Sequence, residues 1–182
     1  MSDEFRILFV CAANHCRSPM AEYLLRQQAM EADVPWLIGS AGTEALPDQP
    51  VHPLVAELLA ARGLDTSSFR SRALSPELLT QQNLVLTMTD SLRSEVIQAE
   101  PRVASRTFTL RQLSHLLLAA TPAAEAASHQ RGPDLLRRAQ RGRTLTQPLQ
   151  DDRDIADPMG RPLAAFEQCL ADLDSALWPF LN

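Results

Sequence analysis

The chain has 182 residues, of which 45% are hydrophobic and 21% are charged, ordinary proportions for one globular domain. The formal net charge of −5 argues against a global positive field that would attract nucleic acid. All 17 basic residues are arginines. This excludes a Walker-type phosphate loop and a Schiff-base lysine, which both require lysine.

Short apolar segments alternate with longer amphipathic ones along the chain. The apolar segments predict four strands, at Ile7–Val10, Trp36–Ile38, Leu84–Met88 and Arg106–Thr109. The amphipathic segments predict helices at Ser18–Met30, Pro53–Arg62, Asp90–Ala99, Leu110–Ala119 and Arg161–Trp178. In the first helix we expect Ser18 to be the N-cap and Pro19 the first helical residue. This alternation is typical of an α/β fold with three layers, a parallel sheet and helices on both faces.

Residues 121–154 differ in composition from the rest of the chain. This stretch is rich in proline and glycine and has too few apolar residues to form a core of its own. We therefore predict one domain spanning residues 1–182, with a surface insertion at about 121–154. A short helix is predicted within it at Asp134–Arg141.

The cysteines indicate a reducing compartment. Cys11, Cys16 and Cys169 are an odd number, and the polar residues 1–6 with the short apolar run Ile7–Val10 do not resemble a secretory leader. No stretch reaches transmembrane length. We therefore expect a cytoplasmic protein whose cysteines are reactive or buried, with no membrane or nucleic-acid partner.

The segment Cys11–Pro19 carries the chemistry that the sequence suggests. It lies between the end of a predicted strand and the start of a helix, where backbone N–H groups and the helix dipole favour an anion. The same environment favours a thiolate at Cys11. Arg17, six residues later, can bind two phosphate oxygens with its planar guanidinium. Ser18 can donate a hydrogen bond to the sulfur, and Asn14 tolerates a left-handed backbone conformation.

Simpler interpretations of these residues remain open. Cys11 alone is compatible with a small buried side chain that ends a strand. Cys11, His15 and Cys16 are compatible with part of a zinc site, although no second pair of ligands has suitable spacing. Cys16 is compatible with plain packing, or with a disulfide to Cys11 under oxidation.

Four motifs resemble the low-molecular-weight protein-tyrosine phosphatase family, which includes bacterial arginine phosphatases. They are Val10–Glu22, Ser40–Thr43, Leu84–Thr89 and Asp157–Pro158, and the resemblance extends over about residues 5–120 and 154–178. It implies a four-stranded parallel sheet, a phosphate-binding loop after the first strand, and metal-free hydrolysis without a cofactor through a phosphocysteine intermediate.

The resemblance also implies roles for individual residues. Cys11 is expected to be the nucleophile, Arg17 the phosphate binder and Asp157 the general acid. Asp151, Asp152 and Asp154 are competing acids in the same stretch. The remaining loop residues are expected to surround the phosphate, with Ser40 as a supporting residue: Ala12, Ala13, Asn14, His15, Cys16 and Ser18.

The chain departs from the family pattern at four positions. Ala13 stands where the family usually has glycine, and Phe69 stands where some relatives have a histidine in the supporting network. His15 replaces the aliphatic residue of tyrosine-directed members and the threonine of arginine-directed ones. Met159 replaces a tyrosine that forms an aromatic wall in tyrosine-directed members. These differences leave phosphotyrosine and phosphoarginine both open as substrates, and the missing aromatic wall argues against phosphotyrosine.

Three functions follow from the sequence. The first is a protein phosphatase acting on phosphotyrosine or phosphoarginine, with a phosphorylated protein as partner and phosphate or another oxyanion in the loop. The second is an arsenate reductase, which would need an external thiol because no cysteine lies between Cys16 and Cys169. The third is a non-catalytic phosphate-binding module.

Overall fold

A parallel sheet forms the centre of the molecule. The computed structural model describes residues 4–119, 127–145 and 154–181. Its strands lie in the spatial order β2-β1-β3-β4, and all pair in parallel. The α/β prediction is therefore confirmed. The strands are β1 (Phe5–Cys11), β2 (Trp36–Gly42), β3 (Leu84–Thr87) and β4 (Thr107–Thr109).

The helices agree with the predicted ones to within a few residues, apart from one that was missed. The missed helix is five residues long, and its Ser75 cap, whose side chain accepts a hydrogen bond from the Leu78 N–H, is followed by Pro76. Such a short helix has too few turns to show a hydrophobic period. The helices are α1 (Arg17–Glu31), α2 (Pro53–Ala60), α3 (Pro76–Thr80), α4 (Asp90–Ala99), α5 (Leu110–Ala119), α6 (Arg131–Leu145) and α7 (Leu163–Leu177).

The central strand β1 is buried on both faces, because helices cover the sheet on each side. Phe9 points into a large cluster with side chains of α1, α5 and α7, whereas Val10 packs with side chains of α3 and α4. Both residues have no exposed surface. This explains why the sequence of the strand is a continuous apolar run rather than an alternating one.

The carboxyl ends of β1 and β2 meet beside the loop that follows β1. Cys11, the last residue of β1, is paired in register with Gly42, the last residue of β2. A Cβ atom at Gly42 would lie 2.3 Å from the carbonyl oxygen of Ala12 and 2.7 Å from the backbone nitrogen of Asn14. Glycine is therefore required at this position, because the loop approaches the backbone of β2 closely.

The described part of the predicted insertion contains α6, which is longer than the Asp134–Arg141 helix expected from the sequence. Its Leu135 and Ala139 are buried in the main core, and Gly132 lies against the ring of Phe5. This helix therefore packs on the domain. The segments on either side of it, 120–126 and 146–153, lie outside the described residues, so the extent of the insertion stays a prediction.

Within the described ranges, no helix combines the length and the apolar character needed to cross a bilayer.

Candidate active site

The loop after β1 leads directly into α1, and the prediction that Ser18 caps this helix is wrong. The helix begins at Arg17, with Cys16 at the N-cap position and without a capping side-chain hydrogen bond. Ser18 lies in the first turn, where its hydroxyl is 3.0 Å from the Cys11 sulfur. Its side chain is thus directed at the candidate nucleophile instead of at the helix backbone.

Asn14 organises the back of the loop. Its φ of +52° lies in the left-handed region, which asparagine tolerates better than most residues. The Oδ1 atom accepts a hydrogen bond of 2.9 Å from the Arg72 backbone N–H, so the Nδ2 group faces the two serines. Nδ2 donates to Ser18 Oγ at 3.0 Å and to Ser40 Oγ at 2.8 Å. Each serine hydroxyl therefore keeps its own proton for a further bond.

Ser40 uses that proton to bind a buried carboxylate. Its hydroxyl donates to Glu22 at 2.5 Å, and Glu22 is also paired with Arg26 at 2.7 Å. Glu22 is only 4% exposed, and its burial raises the pKa of the carboxyl group above the ordinary value, against the opposing effects of Arg26 and the Ser40 hydrogen bond. Sequence analysis did not identify Glu22 as part of the site. Its position four residues before Arg26 on α1 was the available signal.

Arg17 and Asp157 form an ion pair at the mouth of the loop. The Arg17 side chain is 8% exposed and that of Asp157 is 45% exposed. The guanidinium is therefore nearly buried, whereas the carboxylate faces solvent. A second guanidinium nitrogen of Arg17 lies 3.3 Å from the carbonyl oxygen of Ile155. The structure thus brings together two residues that are 140 positions apart in the sequence.

The loop that carries Asp157 is fixed to the end of β3. The Ile155 N–H donates to the carbonyl oxygen of Met88 at 2.8 Å, and the Met159 N–H donates to Asp157 Oδ1 at 3.1 Å. Of the competing acids, Asp154 accepts a hydrogen bond of 2.8 Å from the Asp90 N–H at the start of α4. The other two, at positions 151 and 152, lie outside the described residues.

The first half of the loop is anchored through its backbone, since the carbonyl oxygens of Cys11 and Ala12 accept hydrogen bonds from Thr43 and Glu44 at 3.1 and 2.9 Å. Ala13 is exposed, and its φ is not among the positive values found in the described residues. Alanine therefore fits at the position where the family usually has glycine.

His15 forms one side of the mouth and is supported by two aromatic side chains. Its ring lies edge-on to that of His52, with 5.5 Å between centroids, and His52 stacks on Phe166 at 4.8 Å. The His52 N–H also donates to the His15 carbonyl oxygen at 3.0 Å. Burial, and secondarily the neighbouring His15, lower the pKa of His52. No sequence pattern predicted that these two histidines are in contact.

All three cysteines are free and buried. The Cys16 sulfur lies 3.2 Å from the Met159 thioether. Burial raises the pKa of Cys16 to about 12, and Cys11 and Asp157 add to the effect, while Arg17 opposes it. Burial also raises the pKa of Cys169 to about 12. Both residues are therefore neutral thiols at neutral pH. In the part of the chain that the structure describes, no group of three side chains is placed to hold a metal ion.

The loop geometry agrees with what comparison with known proteins shows. The family described as low molecular weight phosphotyrosine protein phosphatase matches residues 6–120, more than half of the chain. The chain belongs to this family. It is accordingly a cysteine-dependent protein phosphatase.

Two curated relatives illustrate the range of the family. The probable low molecular weight protein-tyrosine-phosphatase EpsP of Ralstonia nicotianae is 30% identical over 164 residues, which cover 90% of this chain and 85% of the relative. The protein-arginine-phosphatase of Bacillus subtilis is 33% identical over 106 residues, which cover 58% of this chain and 70% of the relative.

Solved structures show the same fold. The low molecular weight protein tyrosine phosphatase of T. tengcongensis matches with a TM-score of 0.73 and 25% identity over 97% of each chain. The YwlE arginine phosphatase of Geobacillus stearothermophilus matches with a TM-score of 0.71 and 25% identity, covering 97% of this chain and 90% of the other.

Proposed function

We propose that this phosphatase hydrolyses phosphotyrosine in cytoplasmic proteins, with Cys11 as nucleophile, Arg17 as phosphate binder and Asp157 as general acid. The observation that carries the proposal is the convergence of these groups at one end of the sheet. Cys11 ends β1 against the Ser18 hydroxyl, and Arg17 begins α1 with Asp157 paired to it. A nearly buried guanidinium beside a buried thiol suits an anionic substrate and an attacking thiolate.

In the first step, the Cys11 thiolate attacks phosphorus and forms a sulfur–phosphorus bond as the bond to the leaving oxygen breaks. Arg17 binds two of the phosphoryl oxygens, a task for which its planar fork is suited. Phosphate thereby replaces Asp157 as the partner of Arg17. The released Asp157 takes up a proton from solvent and donates it to the leaving oxygen, so that the neutral phenol departs.

In the second step, water attacks the phosphocysteine and Asp157 accepts a proton from it. The sulfur–phosphorus bond breaks, the electron pair returns to sulfur, and inorganic phosphate leaves. Ser18 stabilises the departing thiolate, because its oxygen accepts from Asn14 and its proton is directed at Cys11. Catalysis here depends on hydrogen-bond donors that are already positioned around the reacting groups.

The mouth of the loop supports an aromatic leaving group. His15, held edge-on by His52, presents an imidazole ring, and the half-exposed Met159 presents a polarisable thioether. Both groups make favourable contacts with an aromatic ring. The Ala12–Cys16 segment would surround the phosphate with backbone N–H groups at the start of α1. A reducing cytoplasm would keep the three free thiols reduced.

The experiment is a side-by-side assay of the purified protein with phosphotyrosine and phosphoarginine peptides of one sequence, and with arsenate plus a thiol donor. We expect kcat/KM for the phosphotyrosine peptide to exceed that for phosphoarginine by about tenfold or more. The Cys11→Ser variant should be inactive with each substrate. A reversed preference would indicate phosphoarginine as the substrate. Thiol-dependent loss of arsenate at a comparable rate would indicate an arsenate reductase.

A further inference from the structure

A polar cleft of about 440 Å³ lies beside β2, behind the Ser40 side chain. The arginines that line it are Arg6, Arg26, Arg70 and Arg72. The carboxylate that lines it is Glu22, which is already bound by Ser40 and Arg26. The cleft is therefore a positively charged region on a chain whose net charge is −5.

The backbone of β2 contributes further donors to this cleft. In the described sheet β1 is the only strand paired with β2, and the other edge of β2 is free except at Gly42, which forms a bridge with Ala73. Arg26 donates to the carbonyl oxygen of Ile38 at 2.9 and 2.7 Å, and Arg72 Nε donates to that of Ser40 at 2.7 Å. Since the N–H and C=O of one strand residue point to the same side, the N–H groups of Ile38 and Ser40 face the cleft as well.

Most of the guanidinium donors are still available. Arg6 is exposed, and its side chain has no hydrogen bond or ion pair with any residue that the structure describes. Arg70 uses one terminal nitrogen for the carbonyl oxygens of Ser67 and Phe69. Arg72 uses only Nε of its side chain. Three guanidinium groups can thus bind an additional anion without giving up a partner.

We propose that this cleft is a second anion site, which binds a small polyanion bearing more than one phosphate group. Guanidinium groups bind phosphate oxygens in pairs, and converging backbone N–H groups add to such a site. The cleft is also several times larger than one phosphate. It is separate from the catalytic loop, so the inference does not depend on the proposed substrate. Asn14 does not line the cleft but connects it to the loop, because its Oδ1 accepts from the Arg72 N–H.

The test is calorimetric titration with inorganic pyrophosphate at low ionic strength, with the catalytic loop disabled in two independent ways. In an Arg17→Met variant, and in wild-type protein saturated with vanadate, one pyrophosphate should still bind. In the Arg17→Met background, the additional changes Arg6→Gln and Arg70→Gln should weaken binding about tenfold or more, because each removes charge-assisted hydrogen bonds.

A matched control removes the same charge elsewhere. Arg102 and Arg137 are exposed and lie outside the cleft. The pair of changes Arg102→Gln and Arg137→Gln should leave pyrophosphate binding unchanged. The absence of binding once the catalytic loop is disabled would overturn the proposal and show that the arginines only cover the free strand edge. An equal loss in the control pair would also overturn it, because binding would then follow net charge alone.

Discussion

Asn14 donates a hydrogen bond of 3.0 Å from its Nδ2 group to the hydroxyl of Ser18, and the direction of this bond determines what Ser18 does for Cys11. The Asn14 amide cannot rotate freely, because its Oδ1 atom accepts from the Arg72 backbone. The Ser18 oxygen accepts the bond from Asn14, and because a Cys11 thiolate can only accept, Ser18 then donates its proton to the sulfur, 3.0 Å away. The chain of bonds thus favours the negatively charged sulfur that the reaction requires.

An Asn14→Asp variant tests this chain. Aspartate has nearly the same size, tolerates the left-handed backbone and keeps the acceptor for Arg72, but it donates no hydrogen bond to Ser18 or Ser40. A hydrogen bond in a network that includes a charged group contributes about 1.5–3 kcal/mol. Loss of the Asn14 donor should therefore lower kcat with an aryl phosphate about 10- to 100-fold.

Asn83→Asp is the matched control for that measurement. Asn83 lies outside the loop and uses its Oδ1 atom only to accept from the Arg6 N–H. Its variant should keep wild-type kcat. Unchanged activity in Asn14→Asp would show that the direction of the Ser18 hydrogen bond has no part in catalysis.

The Asp157→Asn variant tests proton donation to the leaving group. Asparagine keeps the acceptor for the Met159 N–H but has no acidic proton to give. General acid catalysis contributes about 10²–10⁴-fold, so kcat should fall by that order with an unactivated aryl phosphate. The loss should be much smaller with a leaving group that departs without a proton.

Asp154→Asn provides the comparison for Asp157, because it retains the acceptor for the Asp90 N–H at the start of α4. It should behave as wild type with both kinds of leaving group. A loss in Asp157→Asn that is equal for the two leaving groups would assign Asp157 a role in binding rather than in proton transfer.

Alkylation distinguishes Cys11 from the other two thiols. Burial holds the pKa of Cys16 and of Cys169 at about 12, so both are protonated and unreactive at neutral pH. Iodoacetamide should therefore label native protein once, at Cys11, as read by peptide mass spectrometry. Inorganic phosphate should slow the labelling. Labelling of Cys16 at a similar rate in folded protein would contradict the proposed difference between the thiols.

Glu22 should make folding stability depend on pH. Because burial raises its pKa in the folded state, ionisation of Glu22 opposes folding, and stability should decline as pH rises from the ordinary glutamate pKa through the raised one. Glu22→Gln should remove this decline while Ser40 still donates to the amide oxygen. Urea unfolding across that pH range measures the effect, with Glu57→Gln on the exposed side of α2 as control. A slope unchanged by Glu22→Gln would show that Glu22 titrates normally.

The sequence predicted the centre of the sheet well because β1 and β3 are buried on both faces and contain continuous apolar runs. It predicted the start of α1 less well, since Ser18 looks like a helix cap in sequence while its hydroxyl binds Cys11 in the structure. The same competition between local and tertiary partners explains why α6 was predicted too short. It packs mainly against α5 and enters the core through Leu135 and Ala139, and these tertiary contacts are not visible in local spacing.

For the candidate site, the loop residues follow from local sequence, because the loop is one continuous segment between β1 and α1. The supporting contacts do not. Glu22 on α1 contacts Ser40 on β2, and His15 in the loop contacts His52, which precedes α2. These contacts form because the parallel sheet brings the segments to one edge. Local spacing in the sequence therefore cannot predict them.

The central claim is that the phosphoryl group is transferred to Cys11. The most direct measurement is isolation of the phosphocysteine intermediate. Protein quenched in acid during turnover of a ³²P-labelled phosphotyrosine peptide should carry one label, which mass spectrometry locates on Cys11. Ser18→Ala should increase the labelled fraction, because breakdown of the intermediate loses the donor to sulfur. A label on another residue, or turnover that persists in Cys11→Ser, would contradict the account.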